Sequence, residues 1–189
     1  MKFPQQALVS LLCYFSISYC AAQTKNLVAL TPMAFALEKD ENLLQTTANT
    51  NDLRTLYTTL EKVNLSSLLE EEGPFTFFTP NNNAFKHLIH IGLEDLLMEE
   101  NLPKLKAILS HHIIKGQLSA AQMLKQLTNN GGAVTYETLH GTKIYAVFKD
   151  GEILIQDGFG NCAKIVKADL NRSNGIIHKV DHLVFPSNF

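Results

Sequence analysis

Apolar residues at Leu53, Leu56, Tyr57, Leu60 and Val63 recur at intervals of three and four. That spacing predicts a helix from Asp52 with one buried face, its start capped by Asn51 or Asp52. A second short helix is expected from Ser67 to Glu71. Ser67 and Glu70 stand at capping-box spacing, and Gly73-Pro74 ends the run. Phe75 to Thr79 (FTFFT) is rich in β-favouring residues and reads as a strand, stopped by Pro80, which has no N–H to donate. Asn81 or Asn82 then caps a helix with Ala84, Phe85, Leu88 and Ile89 on its apolar face, closed by Gly92. A further helix is expected from Leu102 to Leu109, with Pro103 in its first turn, where a missing N–H does no harm. The segment SHHIIKGQL suggests a short strand turning at Lys115-Gly116. Ser119 and Gln122 form a capping box ahead of Met123, Leu124 and Leu127, and Asn129 to Gly132 reads as a loop.

From Ala133 the period changes to two. Alternating segments are cut by turn signals at His140-Gly141, Asp150-Gly151 and Asp157-Gly158, which predicts consecutive antiparallel strands. The stretch NGIIHKVDHLVFP supplies the last strand, opened by Asn174-Gly175 and ended by Pro186. Helices come first and strands later, with two outlying strands in the helical half. That order is α+β, not alternating β-α-β. The chain shows no internal repeat.

Its 189 residues fit one domain plus a short extra segment. Lys2 followed by ALVSLLCYFSISYCAA has the charge, apolar length and small-residue end of a secretory leader, residues 1–22, and is short for a membrane span. Cleavage after Ala22 gives a secreted or periplasmic product. Acylation at Cys20 would instead give a lipoprotein at the cell surface, the one route by which this chain is expected to meet a membrane. Residues 23–39 read as a lead-in. Once the leader is gone, Cys162 is left without a partner for an internal disulfide and reads as a small strand residue. The net charge of -2 and the scattered lysines exclude a nucleic-acid footprint.

Seven histidines are the main source of candidate chemistry. His87 and His90, three apart on a helix, could share a metal. His178 and His182 are four apart on an expected strand, about 13 Å in reach, too far for one ion. No Glu lies between them, so the zinc-protease pattern is missing. His111 and His112 are adjacent and would point to opposite faces of a strand. There is no Gly-x-Ser-x-Gly elbow, and the glutamates at 70–72 and 99–100 read as solvated charge runs. The segment DGFGN is too short for a phosphate loop. No metal, cofactor or catalytic set is expected.

Three blocks in order carry a family resemblance: GPFTFFTPNNNAF from Gly73, LSHHIIKGQL from Leu109, and ADLNRSNGIIHKVDHLVFP from Ala168. Together they resemble the fasciclin domain family over residues 40–187. His111 stands where that family usually has Tyr, and Thr79 where it usually has Ala. The resemblance implies an α+β fold, a wedge of two β-sheets with helices packed along one side, with two phenylalanines of the first block buried. It also implies an exported, non-catalytic module for adhesion or interaction, its partner a cell-surface or extracellular-matrix protein or polysaccharide. Partner contact in the family maps here onto Asp169 and Leu170, and onto His111 and His112 with Ile113 and Ile114. Each has a structural reading beside the functional one: Asp169 as a loop carboxylate capping local amides, His112 as a neutral core histidine, with His111 facing outward. The alternative function is a small apolar-ligand binder or enzyme using a pocket between the two sheets.

Overall fold

A computed structural model of the chain describes residues 41–70, 73–88 and 92–187. The expected leader and lead-in, Cys13, Cys20, Ile89 and His90 lie outside these residues.

The helical half opens on α1 (Leu43–Asn49), which the apolar spacing did not announce. Asn42 and Gln45 form a capping box at its start, and Leu43 and Leu44 are buried. A 3-10 turn (Asn51–Leu53) leads into α2 (Arg54–Lys62), which buries Leu56, Thr59 and Leu60. Neither Asn51 nor Asp52 caps α2. Asn82, from the far side of β1 (Phe75–Pro80), does so: its Oδ1 accepts from Thr55 N–H at 3.0 Å and its Nδ2 donates to the Asn51 carbonyl at 2.9 Å. Asn81 caps α4 (Asn82–Lys86), accepting from Ala84 N–H at 2.9 Å. The two adjacent asparagines therefore start two different helices. Helix α3 (Ser66–Glu70) begins before Ser67, so the expected Ser67–Glu70 box is not its start. A short α5 (Leu93–Leu96) and a 3-10 turn (Glu99–Asn101) precede α6 (Leu102–His111), which reaches two residues beyond its expected end.

The strands are β1, β2 (Ile113–Lys115), β3 (Ala133–Glu137), β4 (Lys143–Lys149), β5 (Glu152–Gln156), β6 (Cys162–Arg172) and β7 (Gly175–Val180). Helix α7 (Ala120–Asn129), with its Ser119–Gln122 capping box, separates β2 from β3. Their hydrogen-bonded order is β2-β1-β7-β6-β5-β4-β3. Among the described residues only β1 and β7 pair in parallel, from Phe75↔Gly175 to Pro80↔Val180. The two sheets of the expected wedge share β6. Its first residues, Cys162 to Lys164, pair with β5, and Ile165 to Arg172 pair with β7 across two register shifts. Such bulges bend a strand and let it serve two sheets. The far ends approach each other through an Ile114↔Thr138 bridge and a Leu139 N–H to Ile113 carbonyl bond of 2.8 Å. At the β4–β5 hairpin, Asp150 and Gly151 have φ of 53° and 82°, the pair of positive angles that a tight hairpin turn demands. The last strand stops at Val180, six residues before Pro186. Past that point Asp181 turns back onto β6, bonding Lys164 through both its backbone N–H and its carboxylate.

Strand β1 is buried along its whole length. Phe75 and Phe77 join Leu43, Leu53, Leu56, Leu60, Leu105 and Ile108 in the helical core. Phe78 belongs to a second core with Ile114, Met123, Leu127, Ile144, Ile155, Val180 and Val184. All four phenylalanines of the first block are buried, two more than expected, because the strand has a core on each side and Phe85 of α4 joins the helical one.

Candidate functional site

The site builds from the second bulge of β6. The register shift between Lys167 and Leu170 takes Asp169 out of the β6–β7 ladder, with φ at 59°. An L-residue in this left-handed region needs local bonds to hold it. Three are present. Asp169 Oδ1 accepts from Ala120 N–H at 2.8 Å, at the start of α7. Its own N–H donates to His178 Nδ1 at 3.3 Å, and its carbonyl accepts from Asn171 Nδ2 at 3.3 Å. His178 completes the circuit by donating from Nε2 to the Leu118 carbonyl at 2.8 Å. These partners fix a neutral ring with Nε2 protonated and Nδ1 accepting. The ring is fully buried and stacks on Phe78, centroids 5.5 Å apart, and burial lowers its pKa below the ordinary histidine value. Asp169 itself is exposed, while Leu170 is half-buried against the helical core. The carboxylate thus caps an amide, as its structural reading had it, but from a strand bulge and not from a loop.

The other four expected contact residues lie elsewhere and inside. His111 and His112 end α6 instead of lying on a strand, so the opposite-face argument does not apply to them. His112 donates from Nδ1 to the Ile108 carbonyl at 2.8 Å and accepts at Nε2 from Val184 N–H at 3.2 Å. It is fully buried, and that burial lowers its pKa to about 4, against the upward pull of the Ile108 bond and Asp157. His111 was expected to face outward; it is fully buried as well. Its Nδ1 bonds the Thr142 hydroxyl at 2.8 Å, whereas Nε2 has no partner among the described residues. Burial, reinforced by His112, lowers its pKa to about 3. Ile113 and Ile114 are core residues, one in each cluster. These four side chains support the fold around the site and present no surface of their own.

His87 pairs with His182, ring centroids 5.0 Å apart, at a small cavity of about 200 Å³ that Cys162 also lines. Asp181 accepts from His182 Nδ1 at 2.9 Å. No three His, Cys, Asp or Glu side chains among the described residues converge as a metal would require. His178 and His182 go separate ways, one buried in β7 and one exposed beyond it.

Two residues escaped the sequence reading. Buried Asn174 accepts at Oδ1 from Leu43 N–H (2.9 Å), donates from Nδ2 to the Leu69 carbonyl (2.7 Å), and accepts at its carbonyl from Phe75 N–H (3.1 Å). It ties α1, α3 and β1 together. Buried Asp157 accepts from Phe159 N–H, Asn161 N–H, Asn161 Nδ2 and Phe185 N–H, all within 3.0 Å. Both were legible only as turn residues before glycine; every partner of Asn174 named above is distant in sequence, as is Phe185 for Asp157.

A mixed seven-stranded sheet bent at a shared strand, with several helices packed against it, is an α+β fold. The fasciclin domain family model matches residues 51–186, and the chain belongs to that family. It is 32% identical to protein sll1483 of Synechocystis sp. over 151 residues, covering 80% of this chain and 77% of that one. It is 28% identical to human periostin over 134 residues, 71% of this chain but 15% of periostin. Among solved structures it is similar to a FAS1 domain pair from the insect cell adhesion molecule fasciclin I. The TM-score is 0.64 at 18% identity, covering 77% of this chain and 51% of the pair.

Proposed function

We propose that this chain is an exported, non-catalytic adhesion module that engages a cell-surface or extracellular-matrix protein or polysaccharide through Asp169 and Leu170. The carrying observation is the exposed Asp169 carboxylate, set on a bulge by three hydrogen bonds. A charged group held this way binds without first losing much conformational freedom. Similarity to a domain pair of an insect cell adhesion molecule supports the same reading. Among the described residues no helix is long and apolar enough to cross a membrane. The alternative, an apolar pocket between the sheets, meets a space filled by Phe78, Met123, Ile144, Ile155 and Val184.

The test is retention of the purified chain on immobilised matrix polymers and on cells, with Asp169→Asn beside it. Asn keeps an oxygen for Ala120 N–H and removes the charge. Retention that falls in Asp169→Asn supports the proposal. Equal retention of both proteins, or none of either, refutes it.

A further inference from the structure

The bulge that carries Asp169 is held by a group that titrates. Asp169 N–H donates to His178 Nδ1, not to a β7 carbonyl, because the register shift has removed it from the ladder. The acceptor is a lone pair, and a proton abolishes it. Protonated His178 would turn an N–H toward the Asp169 N–H, while Nε2 remains committed to the Leu118 carbonyl. The surroundings contribute little else that is charged. Strand β1 presents Phe78, the chain before α7 presents a carbonyl, and the first turn of α7 carries no acidic residue. On β7 itself, the neighbouring Lys179 is paired with Asp52. Asp169 is the charged group that acts on the ring, favouring its protonation.

We propose that His178 is the positioning residue of the Asp169–Leu170 site, and that its protonation releases Asp169 from the left-handed conformation in which the site is presented. At neutral pH the circuit Leu118–His178–Asp169–Ala120 is closed and the carboxylate is fixed. In acid the His178–Asp169 bond is lost, and a residue at φ 59° relaxes toward the extended region once that support goes. The carboxylate then leaves Ala120, so one protonation loosens both the bulge and the start of α7. The lowered pKa of His178 agrees with this order: neutral at rest, charged only under acid load. The inference rests on the adhesion reading for its biological meaning, not for its chemistry.

The experiment follows the full chain by NMR from neutral pH downward until the His178 ring nitrogens report protonation. It reads the ring nitrogens of His178 and hydrogen exchange at the Asp169, Ala120 and Phe77 amides. At neutral pH the ring should be protonated at Nε2 alone. On acidification, Asp169 and Ala120 should lose protection in step with His178 while Phe77 stays protected. Asp169→Asn should move the His178 midpoint down, since the carboxylate no longer favours the cation. His178→Gln has a donor and an acceptor but no titration, and should keep Asp169 protected in acid. Protection at Asp169 that outlasts His178 protonation would overturn the proposal. So would loss of Asp169 and Phe77 together, or an unmoved midpoint in Asp169→Asn. Matrix retention at both ends of the pH range is a separate arm. No retention at either pH removes the adhesion reading and leaves the NMR result to decide the clamp.

Discussion

Gly175 lies so close to Phe75 that a Cβ added to it would sit 2.2 Å from the Phe75 carbonyl oxygen and 3.0 Å from the Phe75 N. Beside this contact, a Cβ on Gly73 would lie 2.1 Å from the Asn174 carbonyl oxygen. The first block and the closing block therefore meet backbone to backbone, at the point where β1 and β7 begin their parallel pairing. Backbone atoms in a ladder cannot move aside as a flexible side chain can. Gly175→Ala should cost roughly 3 kcal/mol through overpacking. Gly151→Ala is the contrast: nothing lies within 4 Å of its Cβ position, and only its φ of 82° penalises the change, by about 1–2 kcal/mol. Urea midpoints of the two variants check this. A Gly175→Ala protein as stable as the parent would show that the two blocks tolerate separation.

The two adjacent histidines should respond differently to replacement by Leu, which keeps most of the ring's volume. His112→Leu strands both the Ile108 carbonyl and the Val184 N–H, two buried backbone groups, at roughly 1–3 kcal/mol each. His111→Leu takes Nδ1 from the Thr142 and Thr138 hydroxyls, of which Thr138 keeps the Thr142 carbonyl and Thr142 is not fully buried, and it removes a buried nitrogen that has no partner among the described residues. Its cost should stay within about 1 kcal/mol. Ala at either position is a poorer probe, since both sites are fully buried and each would be left with a cavity. Denaturant midpoints decide it; a larger loss in His111→Leu than in His112→Leu would contradict the assignment. Partner binding in either variant should follow the folded fraction alone.

Stability should fall in acid earlier than carboxylate protonation alone would cause. The folded pKa values of His112 and His111, about 4 and about 3, lie below the ordinary value of 6.5. The unfolded chain therefore binds protons below pH 6.5 that the folded chain refuses, and stability declines from there as pH drops toward 4. For His112 the difference of 6.5 and about 4 corresponds to about 3 kcal/mol at its limit. Urea midpoints measured across this range should slope downward with falling pH, and His112→Leu should flatten the slope. A parent profile that stays level from neutral pH to pH 4 would mean that these rings are protonated in the fold.

The α+β order and the β3–β6 hairpins were legible in the sequence because local chemistry marks them. The positive φ pair at Asp150-Gly151 is one such mark. Helix α1 was not legible, for it buries little beyond Leu43, Leu44 and two threonines, and its start leans on Asn174 from across the chain. The burial of His111 was missed for a related reason. Two adjacent residues on a strand alternate between faces, but at the end of a helix packed on all sides both rings turn inward. Asp169 was visible as a residue yet not as a geometry. Its bulge depends on His178 and Ala120, nine and forty-nine residues away.

The asparagine run after Pro80 gives a prediction in which neighbours of identical chemistry act on different elements. Asn81 and Asn82 are half-buried and Asn83 is exposed. Asn81 satisfies Ala84 N–H at the start of its own helix α4. Asn82 reaches back across β1 and satisfies Thr55 N–H in the first turn of α2, a helix that has no cap of its own, while holding the Asn51 carbonyl. Replacing a capping asparagine by Ala typically costs about 1 kcal/mol. Asn81→Ala should therefore lose about that much, and Asn82→Ala as much or more, because it gives up a donor bond as well. Asn83→Ala should stay within about 0.5 kcal/mol, the range of an ordinary surface change. Hydrogen exchange separates the two costly variants. Asn81→Ala should speed exchange at Ala84 and leave Thr55 slow, and Asn82→Ala should do the reverse. Faster exchange at Ala84 alone in both variants would show that Asn82 serves the helix it belongs to and that α2 starts without it.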